Sequence, residues 1–126
     1  MDVTNIQTSE KEVSDHPVQA TTALISDGVS SEFDGNEVRA AEVTFRPGER
    51  TKFHAHPGVQ ILYVTEGVGI VANRNGEREV SEGDLILFSP GEEHWHGNKK
   101  DAESQFSHVY FLTEPEDEEL EILESP

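Results

Sequence analysis

At 126 residues the chain has the length of one domain, and nine Lys and Arg against 26 Asp and Glu leave a formal charge of −17. That balance argues against nucleic acid as a partner, because polyphosphates are held by cations that displace their counterions, and equally against an anionic membrane surface. The absence of cysteine excludes disulfides, thiolate metal sites and thiol nucleophiles.

Residues 1–16 are polar, with few apolar positions, and read as a flexible leader. They show neither the basic start nor the apolar core of a signal peptide, and no run in the chain nears the ~18 apolar residues of a spanning helix. The expected location is therefore the cytoplasm. From Val18 onward the sequence breaks into short β-type stretches: 19–25, then 30–36, with Asp27-Gly28 and Asp34-Gly35 as turns. Residues 38–45 alternate, with Val43 and Phe45 on one face and Glu42 and Thr44 on the other. After the turn Arg46-Pro47-Gly48-Glu49 come strands at 51–56, 59–65 and 68–73, then Asn75-Gly76 as a hairpin tip. Residues 79–81, 85–88, 95–98 and 105–113 complete the set. No stretch before Glu114 carries a 3.6-residue apolar period.

Nine or ten short strands separated by Gly-containing turns predict an all-β sandwich or barrel over 17–113. Residues 114–126 hold seven carboxylates and no base, and are expected to form a disordered or short helical acidic tail. The remaining −10 is spread along the chain. An acidic surface of that extent fits a halophilic protein, since concentrated salt screens self-repulsion while carboxylates keep the chain hydrated. An ordinary acidic cytosolic protein with an acidic tail is the plainer account of the same numbers.

Five of six histidines lie between positions 54 and 108. His54 and His56 occupy i and i+2 of a predicted strand, so their side chains leave the same face about 6.5–7 Å apart at Cα. Two imidazoles so placed can converge on one metal ion. His94 and His96 repeat the spacing. A single such pair is often two solvated surface residues; two pairs, each beside a Pro-Gly turn, are a stronger signal.

Gly48-x5-His54-x-His56-x3-Gln60-x6-Gly67 resembles the first sequence motif of the cupin superfamily at every spacing, with Gln60 where glutamate is usual. Gly83 and then Gly91-x2-His94-x3-Asn98 resemble the second, with Ser89 in place of its proline and Pro90 one position later. The motifs span 48–98, and the flanking strands extend the likeness over about 20–113. The chain is most similar in pattern to small single-domain cupins with His-Pro-Gly-x-Gln and Pro-Gly-Glu-x-His-Trp-His-Gly, some of them associated with carboxymuconolactone decarboxylases.

The resemblance implies a cupin jelly-roll β-barrel, one divalent transition metal per chain (Fe, Mn, Ni, Cu or Zn), and a homodimer formed through N-terminal strands. By position, His54, His56, Gln60 and His94 match its metal ligands. Three imidazoles and a neutral amide oxygen suit these metals. A site without a protein carboxylate leaves the ion its full charge, which sharpens Lewis acidity and weakens affinity. If Gln60 does not coordinate, a three-histidine site with more open positions results.

His96 shares parity with His94 and is open to four roles: a fifth ligand, a hydrogen-bond donor supporting the ligands from behind, an acid/base group, or a rim residue beside Trp95. His108, in the apolar strand 106–112, is either a hydrogen-bonded core residue or a pocket-lining proton shuttle. Tyr110 and Phe106 share its side, whereas Val109 and Phe111 face away. Leu62 and Val64 share the face of Gln60, which predicts an apolar pocket. His16 is expected in solvent. Two functions fit: a metalloenzyme acting on a small organic molecule, by dioxygen-dependent oxidation or by lyase or isomerase chemistry, or a non-catalytic small-molecule or metal sensor. No Walker-type, dinucleotide or nucleophile-elbow motif is present.

Overall fold

A computed structural model describes residues 1–124 and, among these, contains eleven strands and no helix. The strands are β1 (Glu12–Ser14), β2 (Ala23–Phe33), β3 (Asn36–Phe45), β4 (His54–Ala55), β5 (Val59–Glu66) and β6 (Val68–Asn73). They continue as β7 (Gly76–Ser81), β8 (Leu85–Phe88), β9 (His94–Gly97), β10 (Phe106–Pro115) and β11 (Glu121–Ile122). One sheet runs β1-β2-β3-β10-β5-β8 and the other β11-β4-β9-β6-β7, with every pairing antiparallel. This is the expected jelly roll.

Register across the larger sheet explains what lies inside. Residues directly opposite on adjacent strands share a face. Phe45–Phe106, Val43–His108–Val64, Ala41–Tyr110–Leu62–Ile86 and Arg39–Leu112–Gln60–Phe88 therefore form successive inward rows. The first rows, with Val71 and Val80 from the opposing sheet, make the apolar core; Leu62, Phe45 and Phe106 are wholly buried. The last row brings Arg39 and Gln60 to the open end of the barrel. The outward rows carry Leu87 and Phe111, with Leu85 and Tyr63 beside them, all exposed.

Several local expectations shift. Asp27-Gly28 is not a turn but a bulge within the continuous β2, where register slips between Asp27 and Val29. A Cβ on Gly28 would lie 2.1 Å from the Ala40 carbonyl oxygen, so the strands cross too closely there for a side chain. Asp34 and Gly35 do form the β2–β3 tip, with φ of 49° and 76°, as a type I′ turn demands. At the next hairpin the tip is Arg74-Asn75, and Gly76 begins the returning strand.

Both ends of the domain extend further than 17–113. The leader contributes β1, whose Glu12–Ser14 pair with 23–25 of β2. Strand β10 runs to Pro115, held against Asn36. The acidic tail, expected as loose or helical, instead lays β11 along β4 as far as it is described; Ser125 and Pro126 lie outside the described residues. Its charge does not prevent this, because the tail's backbone has an open edge to pair with. Leu123 donates to the Phe53 carbonyl at 2.9 Å, Phe53 donates to that of Glu124 at 2.8 Å, and Arg74 pairs with the Glu124 carboxylate at 2.6 Å while lying over the Phe53 ring.

Candidate metal centre and cavity

The two predicted histidine pairs meet because β4 pairs with β9, which sets His54 directly opposite His94. His56 follows β4, Gln60 lies one turn later on β5, and all four side chains are buried. One ring nitrogen each from His54, His56 and His94 lies within 4.8 Å of the others. Phe88, the cross-strand partner of Gln60, stacks on His94 with 3.8 Å between ring centroids and fixes that imidazole's plane.

Hydrogen bonds decide which nitrogens are free. The His54 Nδ1 lies 2.7 Å from the Lys52 carbonyl oxygen, and the His94 Nδ1 lies 2.8 Å from that of Glu92. The His56 Nδ1 faces a Glu114 carboxylate oxygen at 3.4 Å. Each of these partners only accepts, so each Nδ1 carries the proton and each Nε2 keeps a lone pair. The Gln60 Oε1 then sits 3.1 Å from the His94 Nε2. Two lone pairs facing one another need a cation between them or a turned amide. This donor set fits a divalent transition metal, and its outward N–H groups are already tied.

Burial pushes His54 and His56 down to about 3 and His94 to about 4, with neighbouring imidazoles adding to the effect. His96 is pushed well below its ordinary value and His108 to about 4, again mainly by burial. All five are neutral at pH 7, the state a ligand or base requires. A depressed imidazole means that the unfolded chain binds more protons between the folded value and about 6.5, so stability falls as pH drops through that window. Each contributes up to roughly 1.4 kcal/mol per pH unit. Urea unfolding in molar salt, which screens the surface carboxylates, should show a steep loss from pH 6.5 to 4.5; a flat profile would contradict the neutral cluster.

His96 and His108 separate in role. His96 lines the cavity with His54 and His56, but the set of mutually close nitrogens does not include it. It is not at the rim: it is buried, while Trp95 points to the opposite face under the Arg50 guanidinium. Its Nδ1 lies 3.0 Å from the Nε2 of His108, and its own Nε2 is buried without a partner. His108 is wholly buried behind it rather than on the cavity wall. His16 is exposed, at the cavity mouth.

The cavity measures about 240 Å³. Tyr110 lines it as alternation predicts, whereas Phe106 packs in the core below. Arg39, Gln19 and Leu120 also line it. Arg39 shares the odd parity of Val43 and Phe45, and a charge on that inward face was the legible signal for it. Glu114 and Leu120 lay in the stretch read as a disordered or short helical tail, where Leu120 with Ile122 and Leu123 offered a small apolar face but nothing marked Glu114.

Comparison with known proteins agrees with this geometry. A family model described as a cupin domain matches residues 41–110. The chain is 51% identical over 61 residues to a protein of Granulicella tundricola named (R)-mandelonitrile lyase; that match covers 48% of this chain and 47% of the relative, so the chain spans about half the length of the curated relative it matches. A solved cupin-like protein of Thermotoga maritima superposes with a TM-score of 0.76 at 28% identity, over 94% of this chain and 89% of that one. A predicted oxalate decarboxylase of the same organism gives 0.75 at 19%, covering 89% and 97%, and shares the fold. The chain belongs to the cupin domain family.

Proposed function

Taking the chain as a cupin, we propose that it is a metal-dependent lyase for small organic molecules, with one divalent transition metal held by His54, His56, Gln60 and His94. The observation that carries this reading is the orientation of the three imidazoles, whose Nδ1 atoms are tied to acceptors and whose Nε2 lone pairs are left for one ion. The name of the Granulicella tundricola relative supports lyase chemistry over the other classes. When bound, such an ion supplies Lewis acidity that polarises a substrate oxygen.

The chain's own residues supply the proton chemistry. A hydrogen bond between two neutral imidazoles has one donor and one acceptor. If His96 donates from Nδ1 to His108, its Nε2 presents a lone pair to the cavity and acts as a base. If His108 donates instead, the His96 Nε2 carries the proton and acts as an acid. The 3.0 Å pair thus offers either state at the cavity surface without creating a buried charge in the resting protein. A homodimer belongs to the same proposal: β1 is the outer edge of the larger sheet, and no described strand pairs with its far side, so a second copy can extend the sheet there.

The test is metal analysis of tag-free protein, followed by turnover of small 2-hydroxy nitriles, 2-hydroxy acids and 2-oxo acids with and without dioxygen. We expect about one divalent transition metal per chain, and carbonyl product formed equally in both atmospheres, lost on chelation and restored by metal. Product that depends on dioxygen would make it an oxygenase. Tight binding without turnover would make it a sensor.

A further inference from the structure

Across the cavity from the imidazoles stands a cation with spare hydrogen-bonding capacity. Arg39 on β3 and Gln60 on β5 face the same way in one cross-strand row, with Leu112 of β10 between them. Two strand spacings separate them, about 9.5 Å at Cα. Both line the same cavity, whose walls between them include Val43, Leu112 and the ring of Tyr110.

The guanidinium is only partly used. Its Nη1 donates to Glu37 at 3.1 Å. Its Nη2 has only a loose contact of 3.6 Å with Glu114, beyond hydrogen-bonding distance. Its Nε is buried and has no acceptor. The Nε and Nη2 edge, which grips a carboxylate side-on with two parallel N–H bonds, is not saturated: Nη2 keeps only the loose ion pair with Glu114, and Nε has no acceptor but is enclosed, so a small side-chain movement must uncover it before a ligand oxygen reaches it. An unmade bond to a buried donor is costly, and a ligand that makes it recovers that cost. The Arg39 guanidinium also lies beside the Tyr110 hydroxyl. On the same cavity wall the Gln19 Oε1 is buried and unpartnered, ready to accept a hydroxyl proton.

We propose that Arg39 is a specificity-determining anchor for a carboxylate, so that the substrate is a small 2-hydroxy or 2-oxo acid with its carboxylate on Arg39 and its neighbouring oxygen toward the imidazole cluster. The volume of the cavity suits such an acid. Glu37 takes the opposite nitrogen, whereas Glu114 sets one oxygen 3.6 Å from Nη2 and the other 3.4 Å from the His56 Nδ1, so an incoming carboxylate competes with that loose Glu114 contact. They hold the guanidinium in place, and the ligand displaces the loose Glu114 contact to engage Nη2. This inference rests on the lyase reading for the second oxygen, but the carboxylate preference itself does not require the metal.

Calorimetric titration of the full chain with (R)-mandelate and with (R)-mandelamide tests it, since the two differ only in the group offered to Arg39. The titrations are run on metal-loaded and on chelator-treated protein, with metal content measured alongside. We expect the acid to bind at least tenfold more tightly than the amide in the loaded protein. Arg39→Gln should weaken the acid by roughly ten- to a hundredfold and leave the amide unchanged, with Arg39→Lys recovering part of the loss. Tyr110→Phe should weaken the acid by a smaller factor. Equal binding of acid and amide, binding of neither, or an Arg39→Gln variant that loses both together would overturn the anchor. Failure of the lyase reading has a different signature: no retained metal and no turnover, with the acid still preferred over the amide.

Discussion

Replacing His94 with alanine is expected to raise the dissociation constant for a divalent transition metal by roughly a hundredfold or more, and Gln60→Ala to raise it by roughly tenfold. His94 is central because both of its neighbours depend on it. It lies opposite His54 across the β4–β9 pair, and its Nε2 lies 3.1 Å from the Gln60 Oε1. A neutral amide oxygen is the weaker donor, so its loss leaves a three-imidazole site that still binds. A ligand that binds only the folded state stabilises it, by about 2.7 kcal/mol at a hundred times its dissociation constant. Wild-type protein should therefore melt several degrees higher with manganese or zinc present, Gln60→Ala by less, and His94→Ala hardly at all. The measurement is a pair of melting curves for each variant, with and without metal, beside a competition titration against a chelator of known affinity. A His94→Ala protein that gains as much from metal as wild type would remove the centre altogether. A Gln60→Ala protein indistinguishable from wild type would leave the centre with three histidines.

Gly58→Ala should do damage out of proportion to one methyl group. The added Cβ would stand 1.8 Å from the Thr113 carbonyl oxygen and 2.6 Å from the Glu114 Cα. Both are backbone atoms of β10, which is pinned between β3 and β5 and cannot yield. The turn must move instead, and that turn joins His56 to Gln60. Overpacking of this kind costs roughly 1–3 kcal/mol, and a direct clash with backbone belongs at the upper end. Binding constellations tolerate only about 0.5 Å of displacement, so metal affinity should fall by more than tenfold. Gly83→Ala is the control. It has open space around its Cβ but a φ of +93°, so it carries the left-handed strain, about 1–2 kcal/mol, without a clash. Urea unfolding and metal titration of the two variants separate the effects: Gly83→Ala loses stability and keeps its metal, Gly58→Ala loses both. A Gly58→Ala protein with wild-type affinity would mean that the turn does not position its flanking side chains.

The parts of the molecule that were legible in the sequence share a physical property: their side-chain direction follows from strand alternation. His54 with His56, Val43 with Phe45, and Leu62 and Val64 with Gln60 all face as period-2 geometry requires. The Asp34-Gly35 tip was legible because a type I′ turn selects such residues. What escaped was set by long-range pairing. Asp27-Gly28 looks like a turn until Ala40 is known to press on it. The tail is charged enough to read as loose, and only the open edge of β4 gives β11 its place. His108 had the parity of a pocket residue, yet the bulky His96 stands in front of it. Arg39 was readable in principle, since a charge at an inward position asks for an explanation; Glu114 was not, because the strand that carries it continues past its last apolar residue.

The route by which β10 enters the larger sheet bears on how the protein reaches its folded state. This strand closes against β3, more than sixty residues earlier, as well as against β5, and β9 must cross the gap to β4 before His94 can meet His54. Nearly every contact that shapes the centre thus joins segments far apart in the chain, a topology associated with folding in milliseconds to seconds rather than microseconds. On a ribosome, the first histidine pair emerges with no partner and must wait for almost the whole domain. For the proposed centre the order of events is then architecture first and ion second: a metal supplied early would find only two imidazoles, because His94 joins them only after the chain has closed.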